Sequence, residues 1–526
     1  MKLHPLVLCL LASSSPAALL AQPASSSGST APARKPKLIV AIIADQFRLD
    51  YFYRFRDQYN GGLARLASQG AFFTNAHYEH FPTVTAIGHS TFMSGATPSV
   101  SGIVGNEWYD RQLRKQVTSV SDDATKLLGA EGPGSSPSKL LVSTIGDELK
   151  MSGRASKAIG VSIKDRSAIL PVGRMADGAF WFDNKTGNFV SSTYYFRALP
   201  AWVADFNASR LVDRYAGKEW PVIDNPKAAP LATMPAKAQE TYWAEMQRTP
   251  FGNEIVEELA ERAVAAESLG ADDATDLLAV SFSSNDYVGH EVGPDHPKVR
   301  DISIRTDRVL AKLFAYLEKK VGMANVLVVF SADHGVAPLP EKMIERKMPG
   351  GRLTEQEMLD RVSSYLNTTY GKGDWILGKS GPSAYLNHAL IASKRLNPAR
   401  IRSEVAAMLR KEAHIFRVYT SDQLASGQTL DDLIDRRVRN GFFGPRASDV
   451  FIVIEPYYLF EKTGTSHGTP FNYDSHVPLV MMGPGIKPGK YHRRAAVNDI
   501  APTLATLLEI ETPSGSMGRV LDEALR

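Results

Sequence analysis

Five short apolar runs, separated by segments with helical periodicity, constrain the fold of this 526-residue chain more than any other feature. Each run ends in polar residues and has the length of a buried strand; the runs span 38–44, 158–162, 277–282, 326–330 and 477–482. A sixth run, 450–454, is a further candidate strand. The clearest helical segment, 299–319, carries its apolar residues on one stripe. Continuous apolar strands that alternate with amphipathic helices predict a mostly parallel sheet covered on both faces, which is an α/β fold.

Two long stretches interrupt this alternation. Residues 171–250 are rich in aromatic residues and proline, and residues 341–445 are mixed and polar. We interpret both as insertions that form a cap over one edge of the sheet. The core is then divided into three parts, at 37–170, 251–340 and 446–526.

The N-terminus has the pattern of a secretory signal peptide over residues 1–21, with a positive charge at Lys2, an apolar stretch and small residues up to Ala21. Serine and proline at 13–16 interrupt the apolar stretch, so it does not fit a membrane-spanning helix. Residues 22–36 are rich in Ser, Ala and Pro and predict a flexible lead-in. We therefore expect an exported protein, periplasmic or secreted, without a stable membrane anchor.

Cysteine and charge content exclude several classes of function. Cys9 is the only cysteine and lies in the predicted signal peptide, so the mature chain can form no disulfide, Cys₄ zinc site or cysteine nucleophile. The net charge of +4 comes without a dense basic block, which argues against nucleic acid as a specific partner.

Carboxylate and imidazole side chains cluster around the predicted strand ends. They are Asp45, Asp286, His290, Asp333, His334 and His467. At one end of a sheet, three carboxylates would repel one another and would need shifted pKa values. Two divalent cations would remove this conflict, and a mixture of carboxylate and imidazole ligands suits zinc. Because Asp286 and His290 are one helical turn apart, they can point the same way. The pattern predicts a dinuclear metal site, with zinc preferred among divalent ions.

Three further segments offer a nucleophile and groups that bind phosphate. Thr85 precedes a predicted helix at 86–94 and, as its N-cap, would lie where backbone N–H groups and the helix dipole favour negative charge. Coordination to a metal would lower the pKa of its hydroxyl. Asn106 is a candidate amide donor, and Lys164 and Arg166 alternate along an extended segment that places both on one side. Two such cations beside two metals would stabilise a phosphoryl group with two negative charges.

These motifs follow the order found in the alkaline phosphatase superfamily. The chain resembles most closely the phosphate-irrepressible, PafA-type bacterial alkaline phosphatases, which are related to the nucleotide pyrophosphatase/phosphodiesterases. The resemblance extends from Lys37 to about Leu521 and rests on Asp45, Thr85-Ala86-Ile87-Gly88-His89, the pair Asp286 and His290, Asp333-His334-Gly335 and Thr465-Ser466-His467-Gly468. It implies an alkaline-phosphatase-like three-layer α/β/α sandwich with a mostly parallel central sheet and cap insertions.

The resemblance also implies ligand sets and roles. One of two zinc ions takes Asp286, His290 and His467, and the other takes Asp45, Asp333 and His334. Thr85 contacts the metals, attacks phosphorus and forms a phosphothreonine intermediate, which water then hydrolyses. Asn106, Lys164 and Arg166 match the substrate-binding residues of the monoesterase branch.

The expected function is that of an exported zinc-dependent alkaline phosphatase, a monomer that acts on a broad range of small phosphate monoesters. The alternative is a phosphodiesterase or nucleotide pyrophosphatase with the same metals and nucleophile. A second ester group would, however, place an uncharged group against Lys164 and Arg166. A protein that only binds phosphate or phospholipid head groups would not need the Thr85 hydroxyl.

Overall fold

The computed structural model describes residues 35–381 and 383–526; the predicted signal peptide and nearly all of the predicted lead-in lie outside these residues. The strands in the described part are β1 (Leu38–Ala44), β2 (Ala71–His77), β3 (Glu107–Asp110), β4 (Lys115–Thr118), β5 (Ser121–Leu128), β6 (Pro133–Ser135), β7 (Ala158–Ser162), β8 (Gly178–Asp183), β9 (Asn188–Ser192), β10 (Glu219–Trp220), β11 (Ala232–Thr233), β12 (Asp276–Phe282), β13 (Val326–Ser331), β14 (Gly351–Arg352), β15 (Ile376–Ser380), β16 (Ser383–Leu386), β17 (Ile415–Thr420), β18 (Val450–Ile454), β19 (Tyr458–Leu459), β20 (His476–Met482), β21 (Gly489–Tyr491) and β22 (Ala495–Ala496).

The α-helices in the same residues are α1 (Tyr51–Arg54), α2 (Gly62–Gln69), α3 (Thr85–Ser94), α4 (Pro98–Ser101), α5 (Ile145–Met151), α6 (Asp165–Ile169), α7 (Ala201–Ala208), α8 (Glu240–Met246), α9 (Pro250–Ala266), α10 (Ser284–Val292), α11 (Pro297–Lys320), α12 (Pro340–Glu345), α13 (Glu355–Tyr370), α14 (His388–Ser393), α15 (Pro398–Leu409), α16 (Ser421–Ser426), α17 (Leu433–Gly441), α18 (Asn472–Ser475) and α19 (Ile500–Leu508). Within the described residues, no helix combines the length and the apolar character that crossing a membrane requires.

A mixed sheet forms the centre of the fold, with the strand order β21-β2-β20-β13-β1-β12-β7-β8-β9-β5-β6. Its five central strands, β13, β1, β12, β7 and β8, are parallel. Strand β1 has the sequence Leu-Ile-Val-Ala-Ile-Ile-Ala and is buried along its whole length, as expected of a strand covered on both faces. Helix α11 packs with α2, α9 and α10 in one layer, and α3 packs with α5, α6 and α19 in the other. The predicted three-layer α/β/α fold class is confirmed.

The central strands end at the same level. Ala44 of β1 pairs with Phe282 of β12, and Ser281 of β12 pairs with Ser162 of β7. On the other side of β1, Ile43 pairs with Ser331 of β13. Because the strands are parallel and in register, the segments that follow them all leave the sheet at one edge, which we call the carboxyl edge.

Strand β20 runs antiparallel to both of its neighbours, β2 and β13. A segment that precedes an antiparallel strand lies at the same edge as segments that follow the parallel ones. The direction of β20 therefore brings residues 465–469, which precede it, to the carboxyl edge.

The stretch 171–250 departs from the predicted cap insertion, because its first part belongs to the sheet. Strand β8 pairs with β7 in parallel, and β9 pairs with β8. The aromatic residues that suggested a cap, including Phe180, Phe182 and Phe189, are buried in the core of the sheet. The inserted part begins only after β9.

The insertion predicted at 341–445 extends beyond its predicted end. Strand β18, predicted from the run 450–454 and assigned to the last core part, pairs with β17 and not with the central sheet. Its side chains Val450, Ile452 and Ile454 pack in a separate apolar cluster with Ile401 and Val405 of α15. The apolar run is therefore explained by a small core inside the insertion.

Candidate active site

All six predicted metal-ligating residues lie at the carboxyl edge. Asp45 follows β1, and Asp333 and His334 follow β13. Asp286 and His290 lie on α10, directly after β12, where their spacing of four residues places them on one face. His467 lies in the segment that β20 brings to this edge.

The six side chains form two groups of three, in each of which the potential ligand atoms lie within 4.8 Å of one another. One group, the first trio, consists of Asp286, His290 and His467; the second trio consists of Asp45, Asp333 and His334. The trios are adjacent, since the rings of His334 and His467 stack with centroids 3.4 Å apart. These groups have the composition of the two ligand sets that the resemblance implied.

Each of the three imidazoles is held by a hydrogen bond from Nδ1 to a backbone carbonyl. Nδ1 of His290 donates to the Thr465 carbonyl at 2.7 Å, that of His334 to the Gly335 carbonyl at 2.9 Å, and that of His467 to the Thr83 carbonyl at 2.8 Å. In the neutral ring Nε2 then carries the lone pair, and in each case it faces a carboxylate. This arrangement is typical of histidines that bind a metal.

Within the trios, two buried carboxylate oxygens accept no hydrogen bond from the described residues: Oδ1 of Asp45 and Oδ2 of Asp333. Burial, together with the charges of Asp286 and Asp333, raises the pKa of Asp45 well above its usual range. Burial alone would also raise the pKa of Asp286 and Asp333, but neighbouring histidines hold both well below the usual range. Burial opposes the charge on His334, yet Asp333 raises its pKa to about 9. The protein alone thus leaves its charges in conflict, which bound cations would resolve.

Thr85 is the first residue of α3, and Val84 is the N-cap, so the threonine lies one position inside the helix relative to the prediction. Its hydroxyl caps no backbone group and lies 3.5 Å from Nε2 of His334. His89, one turn later, donates from Nδ1 to the Thr85 carbonyl at 2.8 Å and bonds the Ser281 hydroxyl through Nε2 at 2.8 Å. The hydroxyl is therefore free for chemistry while the backbone that carries it is tied to β12.

Lys164 is buried between the two trios. Its Nζ lies 2.6 Å from a carboxylate oxygen of Asp45 and 2.6 Å from one of Asp286. Burial would lower the pKa of Lys164, but the two carboxylates raise it above its usual value. The ammonium also lies over the ring of Tyr287, 5.2 Å from its centroid.

Lys164 and Arg166 do not lie on the extended segment that sequence reasoning assumed. Lys164 is the N-cap of α6, which begins at Asp165, so Arg166 is already helical. The Arg166 guanidinium is partly exposed, at 26%, and its buried Nε has no hydrogen-bond partner within the described residues. Its charge nevertheless acts on both Lys164 and Tyr287, so the two cations border the same site.

Asn106 bonds to the start of α3, the helix that begins with Thr85. Its Oδ1 accepts the Ala86 backbone N–H at 2.8 Å. The amide oxygen of Asn106 is thus used in this hydrogen bond, and its NH₂ group remains as a hydrogen-bond donor beside Thr85.

Gln46 is a site residue that sequence reasoning missed. Its Nε2 donates to Asp286 at 2.7 Å, and its backbone N–H donates to Asp333 at 3.1 Å, so it links the two trios. Its backbone has φ of 60°, a left-handed conformation that costs energy for a residue with a side chain. The available signal was its position directly after Asp45, at the same strand end.

Comparison with known proteins gives consistent similarities. Residues 39–476 match the family described as type I phosphodiesterase/nucleotide pyrophosphatase. Alkaline phosphatase PafA of Elizabethkingia meningoseptica is 37% identical over 521 residues, covering 93% of this chain and 95% of that protein. Alkaline phosphatase PhoV of Synechococcus elongatus is 37% identical over 517 residues, covering 94% and 93%. A crystal structure of alkaline phosphatase PafA superposes with a TM-score of 0.88 at 36% identity, covering 94% of this chain and 99% of that one.

Proposed function

The chain belongs to the type I phosphodiesterase/nucleotide pyrophosphatase family, and on that premise we propose that it is an exported zinc-dependent alkaline phosphatase. It hydrolyses phosphate monoesters through a phosphothreonine intermediate. The predicted relationship to PafA-type alkaline phosphatases is confirmed by the similarity in sequence and in structure.

The position of Lys164 is the observation that favours monoesters over diesters as substrates. Its ammonium lies between the trios, within 2.6 Å of Asp45 and of Asp286. A monoester presents three unesterified oxygens that share two negative charges, so one oxygen can meet a cation while the others face the trios. A diester has one such oxygen fewer and one charge less, and gains less from a cation here.

The residues present fit two zinc ions, because each trio offers carboxylate oxygens and an imidazole Nε2 within 4.8 Å. The oxygens of Asp45 and Asp333 that accept no hydrogen bond supply unused ligand atoms. Bound zinc would act as a Lewis acid that stabilises the oxygens entering and leaving phosphorus.

Thr85 is the nucleophile in this mechanism. Its Oγ1 gives its proton to solvent and attacks phosphorus, the bond from phosphorus to the alcohol oxygen breaks, and that oxygen takes a proton from water and leaves as the alcohol. Water then attacks the phosphothreonine, which releases inorganic phosphate and restores the hydroxyl. The N-terminus of α3 favours the negative charge that develops at Thr85. The NH₂ group of Asn106 donates a hydrogen bond to a phosphate oxygen. Lys164 and Arg166 stabilise the negative charge of the phosphoryl group.

Parallel assays at alkaline pH with p-nitrophenyl phosphate and bis-p-nitrophenyl phosphate test the proposal. We expect chelator-sensitive hydrolysis of the monoester that Thr85→Ala abolishes. Lys164→Ala should lower monoester kcat/KM by about 100-fold, and diester kcat/KM by less. The control Lys157→Ala removes a lysine just before the opposite end of β7, where Nζ donates to the Glu267 carbonyl, and should change neither.

Other results would contradict parts of the proposal. A preference for the diester would assign the chain to the phosphodiesterase alternative and remove the role of Lys164. Full activity in Thr85→Ala would exclude the covalent intermediate.

The pattern of residues 1–21 supports export to the periplasm or the medium, and the mature enzyme is proposed to act as a monomer. N-terminal sequencing of the protein from the periplasm and the medium tests cleavage after Ala21, and light scattering tests the mass.

A further inference from the structure

An apolar cavity of about 410 Å³ opens beside the site, between the sheet and the insertion that follows β13. On the sheet side its wall includes Val84, Asn106 and His467. Val84 precedes the nucleophile directly, and His467 belongs to the first trio. Neither Lys164 nor Arg166 lines the cavity. The cavity is thus continuous with the site on the side away from the two cations that bind the phosphoryl group.

The insertion supplies the opposite wall, which is aromatic. Tyr385, Phe451 and Phe460 line it, and the first two are 1% and 8% exposed. The phenol of Tyr385 donates to the Arg446 carbonyl at 2.7 Å, which fixes this buried ring behind the wall, while the partly exposed Phe460 presents its ring to the cavity. Such a wall binds flat apolar groups by burial and ring contact.

The charges around the cavity disfavour anions. Glu107 and Glu461 line it and are exposed, while Glu355 pairs with Lys379 at 3.0 Å. The cation in the wall, Arg446, donates to the Gly102 and Lys139 carbonyls and lies over the Trp108 ring, so its charge is already engaged.

We propose that this cavity holds the alcohol part of the substrate and selects monoesters of bulky, apolar, uncharged alcohols over those of small polar or anionic alcohols. The inference rests on the proposed phosphatase function and names its substrate class. The phosphoryl group lies at the trios, and the alcohol extends past His467 into the cavity. Phe460 is a specificity residue in this arrangement, because it contributes ring surface without contacting the reacting atoms.

Three phosphate esters whose alcohols have similar acidity separate the effect of alcohol binding in the cavity from the effect of the leaving-group pKa. They are 2-phenylethyl phosphate, glycerol 1-phosphate and 2-(4-carboxyphenyl)ethyl phosphate. We expect kcat/KM for the phenylethyl ester to exceed those of both others by about tenfold or more. Glu461→Gln should raise kcat/KM for the carboxylate ester alone.

Paired variants locate the effect. Phe460→Ala should bring the ratio of phenylethyl to glycerol ester close to one, whereas Phe416→Ala, at an exposed phenylalanine of the same insertion that does not line this cavity, should keep the parental ratio. Ala447→Phe, which fills the cavity from another wall position, should lower the same ratio and does not depend on the folding of Phe460→Ala.

Different results would contradict the proposed substrate class and the proposed phosphatase function. Equal kcat/KM for the phenylethyl and glycerol esters in the parent, or an unchanged ratio in both cavity variants, overturns the inference and leaves the phosphatase intact. Absence of hydrolysis of all three esters overturns the proposed function itself, and hydrolysis that persists in Thr85→Ala overturns its covalent intermediate.

Discussion

At the scale of single residues, His80 differs from the imidazoles of the two trios. It is fully buried, and neither of its ring nitrogens has a hydrogen-bond partner within the described residues. Burial, assisted by the charge of Arg437, lowers its pKa from 6.5 to about 3. The folded protein therefore holds His80 neutral over a range of pH in which the unfolded chain protonates it.

The pH dependence of stability follows from this difference. Above pH 6.5 both states are neutral at His80, and between pH 6.5 and pH 3 only the unfolded state gains the proton, so stability falls on acidification by up to about 1.4 kcal/mol per pH unit. His80→Leu should remove this contribution, and the slope of unfolding free energy against pH, from urea titrations, should decrease by that amount. His492→Leu, at an exposed histidine, serves as the control. An unchanged slope in His80→Leu would show that His80 is not the buried base.

The sequence predicted which residues form the site better than it predicted the contacts between them. Asp45, Asp286 and Asp333 could be predicted because each follows an apolar run, and strand ends meet at one edge. The link made by Gln46 and the carbonyl that holds each imidazole depend on backbone positions far apart in the chain, which residue patterns do not contain. The catalytic roles of Thr85, Asn106, Lys164 and Arg166 remain predictions for the assays above.

At the scale of elements, the contact between α3 and the end of β13 joins Thr85, the proposed nucleophile, to the second trio. A Cβ added at Gly88 would lie 2.2 Å from the Asp333 carbonyl oxygen, closer than any real contact allows. Helix α3 can approach the segment that carries Asp333 only because this residue is glycine.

Gly88→Ala should therefore separate α3 from Asp333. We expect a loss of about 1–3 kcal/mol in unfolding free energy and a fall in kcat/KM of about tenfold or more, since displacement of Thr85 weakens its alignment. Gly444→Ala is the control, because its Cβ would meet nothing nearer than 3.9 Å. Wild-type stability and activity in Gly88→Ala would mean that the contact does not fix the helix.

Strands of the central sheet could be predicted where each corresponds to one apolar run of the sequence. The direction of a strand and the element with which it pairs could not be predicted in this way. The run at 477–482 was identified, but its antiparallel direction depends on where β2 and β13 lie. The run at 450–454 was also a strand, but its apolar side chains meet α15 and not the sheet. Strand β8 was taken as cap because aromatic content resembles a binding surface as much as a core.

At the scale of the whole molecule, we expect stability to depend on bound metal, since three buried carboxylates share one edge of the sheet. Without metal, Lys164 is the cation between Asp45 and Asp286. A ligand that binds only the folded state raises its stability.

Metal removal should lower Tm by roughly 5 °C or more, and added Zn²⁺ should restore it. The loss should be larger in Lys164→Ala than in the parent, because no cation then separates the carboxylates. Scanning calorimetry with and without chelator measures both effects, with Lys157→Ala as the control. An equal Tm with and without metal would contradict the assignment of both trios.

The position of β20 between β2 and β13 determines when, during synthesis of the chain, the sheet and the site can be completed. A ribosome that has added 460 residues has completed both neighbours of this strand and five of the six trio side chains. The gap between β2 and β13 closes only with residues 476–482, and the first trio lacks a member until His467 has been added. We therefore expect products that terminate before residue 467 to be incompletely folded and inactive, because they lack both β20 and one member of the first trio.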